Sequence, residues 1–219
     1  RSAEVSLSAP AQELRRFTLG KLRDGVMAVF ASSSLDENNL VTDILTAADH
    51  RVMPLQMGIQ TPTLHNYYLY PQDIDADGYL ELPVLRQLEV PKEAEPQYCI
   101  DWFSPDAAGE RELKLSTYHH FDDGWYFRLD PQWRDELTVL EEEDRYIFGL
   151  LTDAREEFAP LFTIWVLTGP DREEQAVLDG RVLLHRGETE VYAMSFAEEL
   201  DEAAQKQLRD SFRLIRIDW

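Results

Sequence analysis

Short apolar runs, cut at roughly ten-residue intervals by turn-forming residues, confine the amino-terminal part of this chain to antiparallel β structure. Phe17–Leu22 alternates apolar and polar residues and stops at Asp24-Gly25, and Val26–Ala31 is a compact apolar run. Asp36-Glu37-Asn38-Asn39 is turn chemistry, because Asp and Asn tolerate left-handed backbone angles. Leu40–Thr46 and Arg51–Gln56 are further runs, broken at Asp49-His50. Strands at this spacing form meanders, as in a sandwich, a barrel or a propeller blade.

The residues before about Glu13 read as a loose lead-in. After Tyr67–Pro71 comes an acidic loop, Asp73–Gly78, and then Tyr79–Leu85, which alternates again, so the loop is expected to join two strands. Val90–Pro96 holds two prolines and three charged residues, a linker composition that places an internal boundary there. Two parts follow from this: a β-rich segment over 1–90, with partial propeller-like blades, and a second domain over 98–219.

Strands are expected in the second part at Tyr98–Phe103, Glu112–His120, Trp125–Leu129, Tyr146–Leu151, Phe162–Thr168, Arg181–His185, Glu190–Phe196 and Leu214–Ile217. A short helix is expected over Asp171–Leu178, with Asp171 and Glu174 spaced as a capping box. A longer helix is expected from about Glu198 to Phe212, where Leu200, Ala204, Leu208 and Phe212 make one stripe. The predicted class is therefore α+β, with an antiparallel sheet carrying one or two packed helices.

Charge narrows the function. Among 219 residues, 42 acidic side chains face 21 basic ones, a formal charge of −21. Nucleic acid and anionic membrane are bound through clustered Lys and Arg, so neither is an expected partner. A lone Cys99 excludes an internal disulfide framework and a Cys-rich zinc module. No apolar run is long enough to span a bilayer. The chain opens at Arg1 with no visible signal peptide, so any anchor is expected upstream. The default state is a monomer.

Only one motif carries metal chemistry. Asp73, Asp75 and Asp77 followed by Gly78 make D-x-D-x-D-G. Alternate side chains of a tightly curled loop turn their oxygens toward one centre, and Gly78 supplies the backbone angle for the curl. The carbonyl of Tyr79 and the carboxylate of Glu81 complete the predicted ligand set. An all-oxygen shell of this kind suits Ca²⁺ before Mg²⁺, in a structural role. An EF-hand is excluded, because its twelfth position is acidic and here it is Val84, and because the flanks are strand-like.

The segment Tyr70-Pro-Gln-Asp-Ile-Asp-Ala-Asp-Gly-Tyr-Leu-Glu81 resembles the calcium-binding β-hairpin of FG-GAP and VCBS repeats. That resemblance implies Asp73, Asp75 and Asp77 as side-chain ligands, Tyr79 through its carbonyl, and Glu81 where the family more often has Asp. The Val26–Thr46 hairpin, with Asp36 and Asn38 at its turn, looks like a blade without the acidic triplet. Gly124–Trp133 and Val191–Met194 resemble a PsbP-like module of surface lipoproteins from Gram-positive gut bacteria. Together these likenesses imply an exported, non-catalytic protein, extracellular or anchored at the cell surface, that binds a protein or a glycan.

Other constellations compete. His119-His120 with Asp122-Asp123 can be drawn as a metal or acid–base cluster, but adjacent strand residues point to opposite faces. Asp122 or Asp123 with the Glu141–Asp144 run can be drawn as the carboxylate pair of a hydrolase. That enzyme, or a scaffold for a catalytic domain outside this chain, is the alternative reading. Ser32–Ser34 lacks the glycines of a nucleophile elbow, and Cys99 reads as a small buried hydrophobe. Trp102, Trp125, Tyr126, Phe127 and Trp133 are the candidates for a sugar-stacking platform.

Overall fold

Turns at the positions marked by Asp, Asn and Gly fold the first strands back on one another. In the computed structural model, which describes residues 5–9, 13–37, 39–48, 51–55, 63–66, 69–91, 94–151 and 158–215, β1 (Leu14–Lys21) pairs antiparallel with β2 (Met27–Ser34). β2 pairs in turn with β3 (Asn39–Ala48). β4 (Arg51–Pro54) and β5 (Thr63–Asn66) both lie on β3, the first against Leu45–Ala48 and the second against Asn39–Thr42. Expectations resting on Asn38, His50, Gln56, Tyr67, Tyr68 and Ile217 lie outside the described residues.

Contacts divide the chain into two compact units, Arg1–Arg86 with Ile100–Leu115 and Gln87–Cys99 with Ser116–Trp219. In the first unit, strand alternation puts Ala28, Phe30 and Ile44 on one sheet face, where they pack with Leu22 and Leu82. Leu82 opens β6 (Leu82–Gln87). β7 (Tyr98–Pro105), β8 (Arg111–His120) and β9 (Trp125–Arg128) follow.

The second unit contains an antiparallel sheet built from β10 (Leu137–Glu142), β11 (Arg145–Leu151), β12 (Phe158–Thr168), β13 (Val182–Arg186) and β14 (Glu190–Phe196), in the order β10-β11-β12-β14-β13. A third sheet runs β15-β9-β8-β7-β6, where β15 is Arg213–Leu214. The core of the second unit is aromatic. Phe148 stacks on Phe162 at 4.7 Å and meets Phe127 edge-on at 5.0 Å, geometries that suit the ring quadrupoles. Cys99 is fully buried in this core.

The α+β expectation is overturned. The protein is mostly β, in three antiparallel sheets, and only one described helix exceeds a single turn. The predicted helix at Asp171–Leu178 reduces to α1 (Arg172–Gln175), because Asp171 makes no side-chain capping bond and Val177 and Leu178 stay exposed, leaving little apolar face to bury. The longer helix, α2 (Glu202–Ser211), starts later than predicted, since the Asp201 carboxylate caps it by accepting the Ala204 amide at 2.8 Å. Its stripe behaves as expected: Leu208 and Phe212 are buried in the aromatic core. β10 was not foreseen. Glu141 and Glu142, named above for a carboxylate pair, lie in that strand opposite Tyr146 and Arg145. Among the described residues, no helix is long and apolar enough to cross a membrane.

Gly149 sits where the β11–β12 register shifts, and a Cβ there would meet the Ala159 carbonyl oxygen at 2.4 Å and the Phe158 ring at 2.6 Å. Gly149→Ala is therefore expected to cost about 1–3 kcal/mol through overpacking. Gly78→Ala, with open space at its Cβ but φ of +91°, should cost about 1 kcal/mol through backbone strain alone. Urea denaturation midpoints of the two variants check that order.

Candidate metal centre

The acidic loop belongs to the first unit and is closed by a single antiparallel bridge between Gln72 and Glu81, not by two full strands. Paired backbone hydrogen bonds of 3.2 and 2.9 Å hold that bridge. Between its ends the chain curls through Ala76 at φ +62° and Gly78 at φ +91°. The curl aims amides inward. Asp73 Oδ1 accepts the Asp77 N–H at 2.9 Å and Asp73 Oδ2 the Gly78 N–H at 2.8 Å.

Of the four side chains expected as ligands, Asp73, Asp75, Asp77 and Glu81, the structure brings three together. One carboxylate oxygen each from Asp73, Asp75 and Glu81 lies within 4.8 Å of the others. Oxygens bound to one Ca²⁺ at 2.3–2.6 Å can stand no more than about 5 Å apart, so this spacing fits such an ion. Asp77 is turned elsewhere. Its Oδ1 accepts the Tyr79 N–H at 3.0 Å, and its Oδ2 accepts from Lys114 Nζ at 2.5 Å.

Two features set the electrostatics. Glu81 is completely buried, its Oε2 accepting the Ile74 N–H at 3.2 Å and its Oε1 the Ser104 hydroxyl at 3.2 Å. Burial pushes its carboxyl up to about 7 against those two hydrogen bonds, and the neighbouring Asp75 and Asp77 charges add to the rise. Lys114, on β8, answers part of the negative charge. Its ammonium reaches Asp75 Oδ2 at 3.3 Å as well as Asp77, and these bonds push it up to about 12 while holding Asp77 below the usual carboxylate range.

One oxygen has no partner. Asp75 Oδ1 is shut off from solvent and makes no hydrogen bond. An orphaned anionic oxygen is costly unless a cation faces it, and its residue, Asp75, belongs to the same three-carboxylate group. The donor set and this orphan both fit a hard divalent ion. Lys114 was not anticipated from sequence, because thirty-seven residues separate it from Asp77 and only folding brings β8 alongside the loop.

The competing constellations resolve differently. His119 stacks on Tyr126 at 4.6 Å and is driven down to about 3 by burial, whereas His120 stacks on Trp125 at 5.6 Å. They point to opposite faces, as strand alternation requires. His120 lies between two of the nominated acids: Nδ1 is 3.3 Å from Asp123 Oδ2 and Nε2 is 3.9 Å from Glu141 Oε1. Asp123 is already engaged, accepting the Tyr146 hydroxyl at 2.5 Å on its carboxylate and the Tyr192 hydroxyl at 2.7 Å on its carbonyl. The sugar-platform candidates Trp102, Trp125, Phe127 and Trp133 are buried.

Comparison with protein-family models, with curated proteins and with solved structures returned no match.

The Glu81 environment has a pH signature. Its folded value lies above the ordinary 4.5, so the folded state holds this proton more tightly than the unfolded one. The resulting stabilisation is complete below pH 4.5 and is lost as pH rises through about 7. In chelator, wild-type stability relative to Glu81→Gln should therefore fall by on the order of 3 kcal/mol across that window. Thermal melts of both proteins at matched pH values measure the difference.

Proposed function

We propose that this chain is a non-catalytic binding or display module of an exported bacterial surface protein, stabilised by one Ca²⁺ held by Asp73, Asp75 and Glu81. The observation that carries the reading is the solvent-shielded, unpartnered Oδ1 of Asp75 beside two further carboxylates. The resemblance of residues 70–81 to the FG-GAP and VCBS hairpin supports the same ion. The role is structural: calcium neutralises a loop whose ends are tied by one bridge, and millimolar external calcium fills weak sites of this type. The partner is a protein or a glycan, and the module is carried outside the cell or anchored to its surface.

Calorimetric titration of the intact chain with calcium tests this directly. At calcium ten times the dissociation constant, wild type should gain about 1.4 kcal/mol of stability, and Asp75→Ala should gain none. Identical melting of both proteins in calcium and in chelator overturns the reading. Lys114 competes with the ion for Asp75, so Lys114→Met should bind calcium several-fold more tightly while melting lower than wild type in chelator.

A second reading, a hydrolase using acidic side chains, draws on one observation: Asp123 and Glu141 both approach the His120 ring. Hydrolysis of an aryl glycoside, abolished by both Asp123→Asn and Glu141→Gln with calcium binding intact, selects that reading.

A further inference from the structure

One imidazole of the second unit bonds the turn that joins β8 to β9. His120 ends β8 opposite Trp125, the first residue of β9, and its side chain is only 14% exposed. The ring stacks on Trp125 at 5.6 Å and meets the Tyr146 ring at 4.4 Å. Nδ1 accepts the Asp123 N–H at 3.2 Å, which a ring nitrogen does only while it carries no proton. In the neutral ring the proton therefore sits on Nε2, 3.9 Å from Glu141 Oε1.

The same surroundings offer a second set of bonds. An imidazolium donates from both nitrogens, and a carboxylate stands opposite each one, since Nδ1 is also 3.3 Å from Asp123 Oδ2. The Trp125 and Tyr146 rings beside the imidazole suit a cation. The two sets exclude one another at Nδ1. A protonated Nδ1 turns from acceptor to donor, so it gives up the Asp123 amide and bonds the carboxylate of the same residue.

The turn over Phe121–Gly124 is tied to three other places. The Asp123 carboxylate accepts the Tyr146 hydroxyl from β11 at 2.5 Å, and its carbonyl accepts the Tyr192 hydroxyl from β14 at 2.7 Å. The Gly124 carbonyl accepts the Ile215 N–H, just after β15, at 2.8 Å. The charged groups in contact with the ring are Asp123 of the turn and Glu141 of β10, and Tyr146 is the titratable group beside it on β11. Glu190 stands behind Tyr192, 3.4 Å from its hydroxyl. Burial holds the Tyr146 phenol well above its ordinary range and pushes Tyr192 up to about 12, so neither loses its proton where an imidazole titrates.

We infer that His120 is a proton-operated switch of the Phe121–Gly124 turn: the neutral ring holds the Asp123 amide, and the imidazolium releases it and bonds the Asp123 and Glu141 carboxylates instead. Because Asp123 and Gly124 also carry the bonds to Tyr192 and Ile215, the exchange alters the turn's hold on the chain after β15. The inference rests neither on calcium in the Asp73–Glu81 loop nor on hydrolysis at Asp123 and Glu141.

The test is a pH titration of the isotope-labelled intact chain in chelator, followed by NMR at the His120 ring nitrogens and the Asp123, Gly124 and Ile215 amides. At the alkaline end the ring should carry its proton on Nε2. As the ring gains its second proton, the three amides should move with the ring's own midpoint. Over the same step, protection of the Asp123 amide from solvent exchange should fall at least about tenfold. His120→Gln keeps an acceptor without a titrating group, so the amides should stay still in it. Glu141→Gln, at a half-exposed position, should move the ring and amide midpoints together. A neutral ring protonated on Nδ1, amides that do not follow the ring, equal amide movement in His120→Gln, or midpoints that separate in Glu141→Gln overturns the inference. Protonation of the Asp73–Glu81 loop is read at its own residues, so failure here leaves the calcium reading standing, and loss of calcium binding leaves this one.

Discussion

A carboxylate with no access to water, set among aspartates, is the constraint around which the first unit is arranged. Glu81 occupies the bridge that closes the acidic loop, and its neighbour Leu82 is part of the hydrophobic core. Moving Glu81 outward would therefore disturb both the bridge and the core. With its position fixed, negative charge accumulates between Asp73, Asp75 and Glu81, and the protein must answer it with a proton, an ammonium or a metal ion. Two of these answers are visible in the site, a raised Glu81 and the Lys114 ammonium on Asp75 and Asp77, and one oxygen of Asp75 is served by neither.

The second unit solves a different problem. Its strands bury large rings, and three of its tyrosines hydrogen-bond through their hydroxyls within the unit. Tyr146 and Tyr192 both donate to Asp123, and Tyr118 donates to Gln97 at 2.8 Å. Burial drives all three phenols well above their ordinary range, so they act as neutral donors throughout the physiological range. His120, in contact with Asp123 and Glu141, stands beside this network, and the Trp125 indole N–H in the same core has no partner.

Sheets with terminal strands carry a standing risk of pairing with other chains, and here charge is distributed accordingly. Within a chain of charge −21, β1 carries three cations, and Phe17 and Leu19 of the same strand are exposed.

Local chemistry determined much of this molecule. Alternation and turn residues fixed most strands, the capping chemistry of Asp201 and the stripe through Leu208 fixed the main helix, and D-x-D-x-D-G marked the loop where carboxylates gather. These are effects of neighbours a few residues apart, and a sequence displays them directly. The balance between helix and sheet was settled otherwise, because α1 lacks an apolar face and β10 gains its place only by pairing with β11. The division of labour among the acids was likewise tertiary. Asp77 faces Lys114 while Asp73 and Asp75 converge with Glu81, since the strand that delivers the ammonium is brought to the loop by folding and not by sequence proximity.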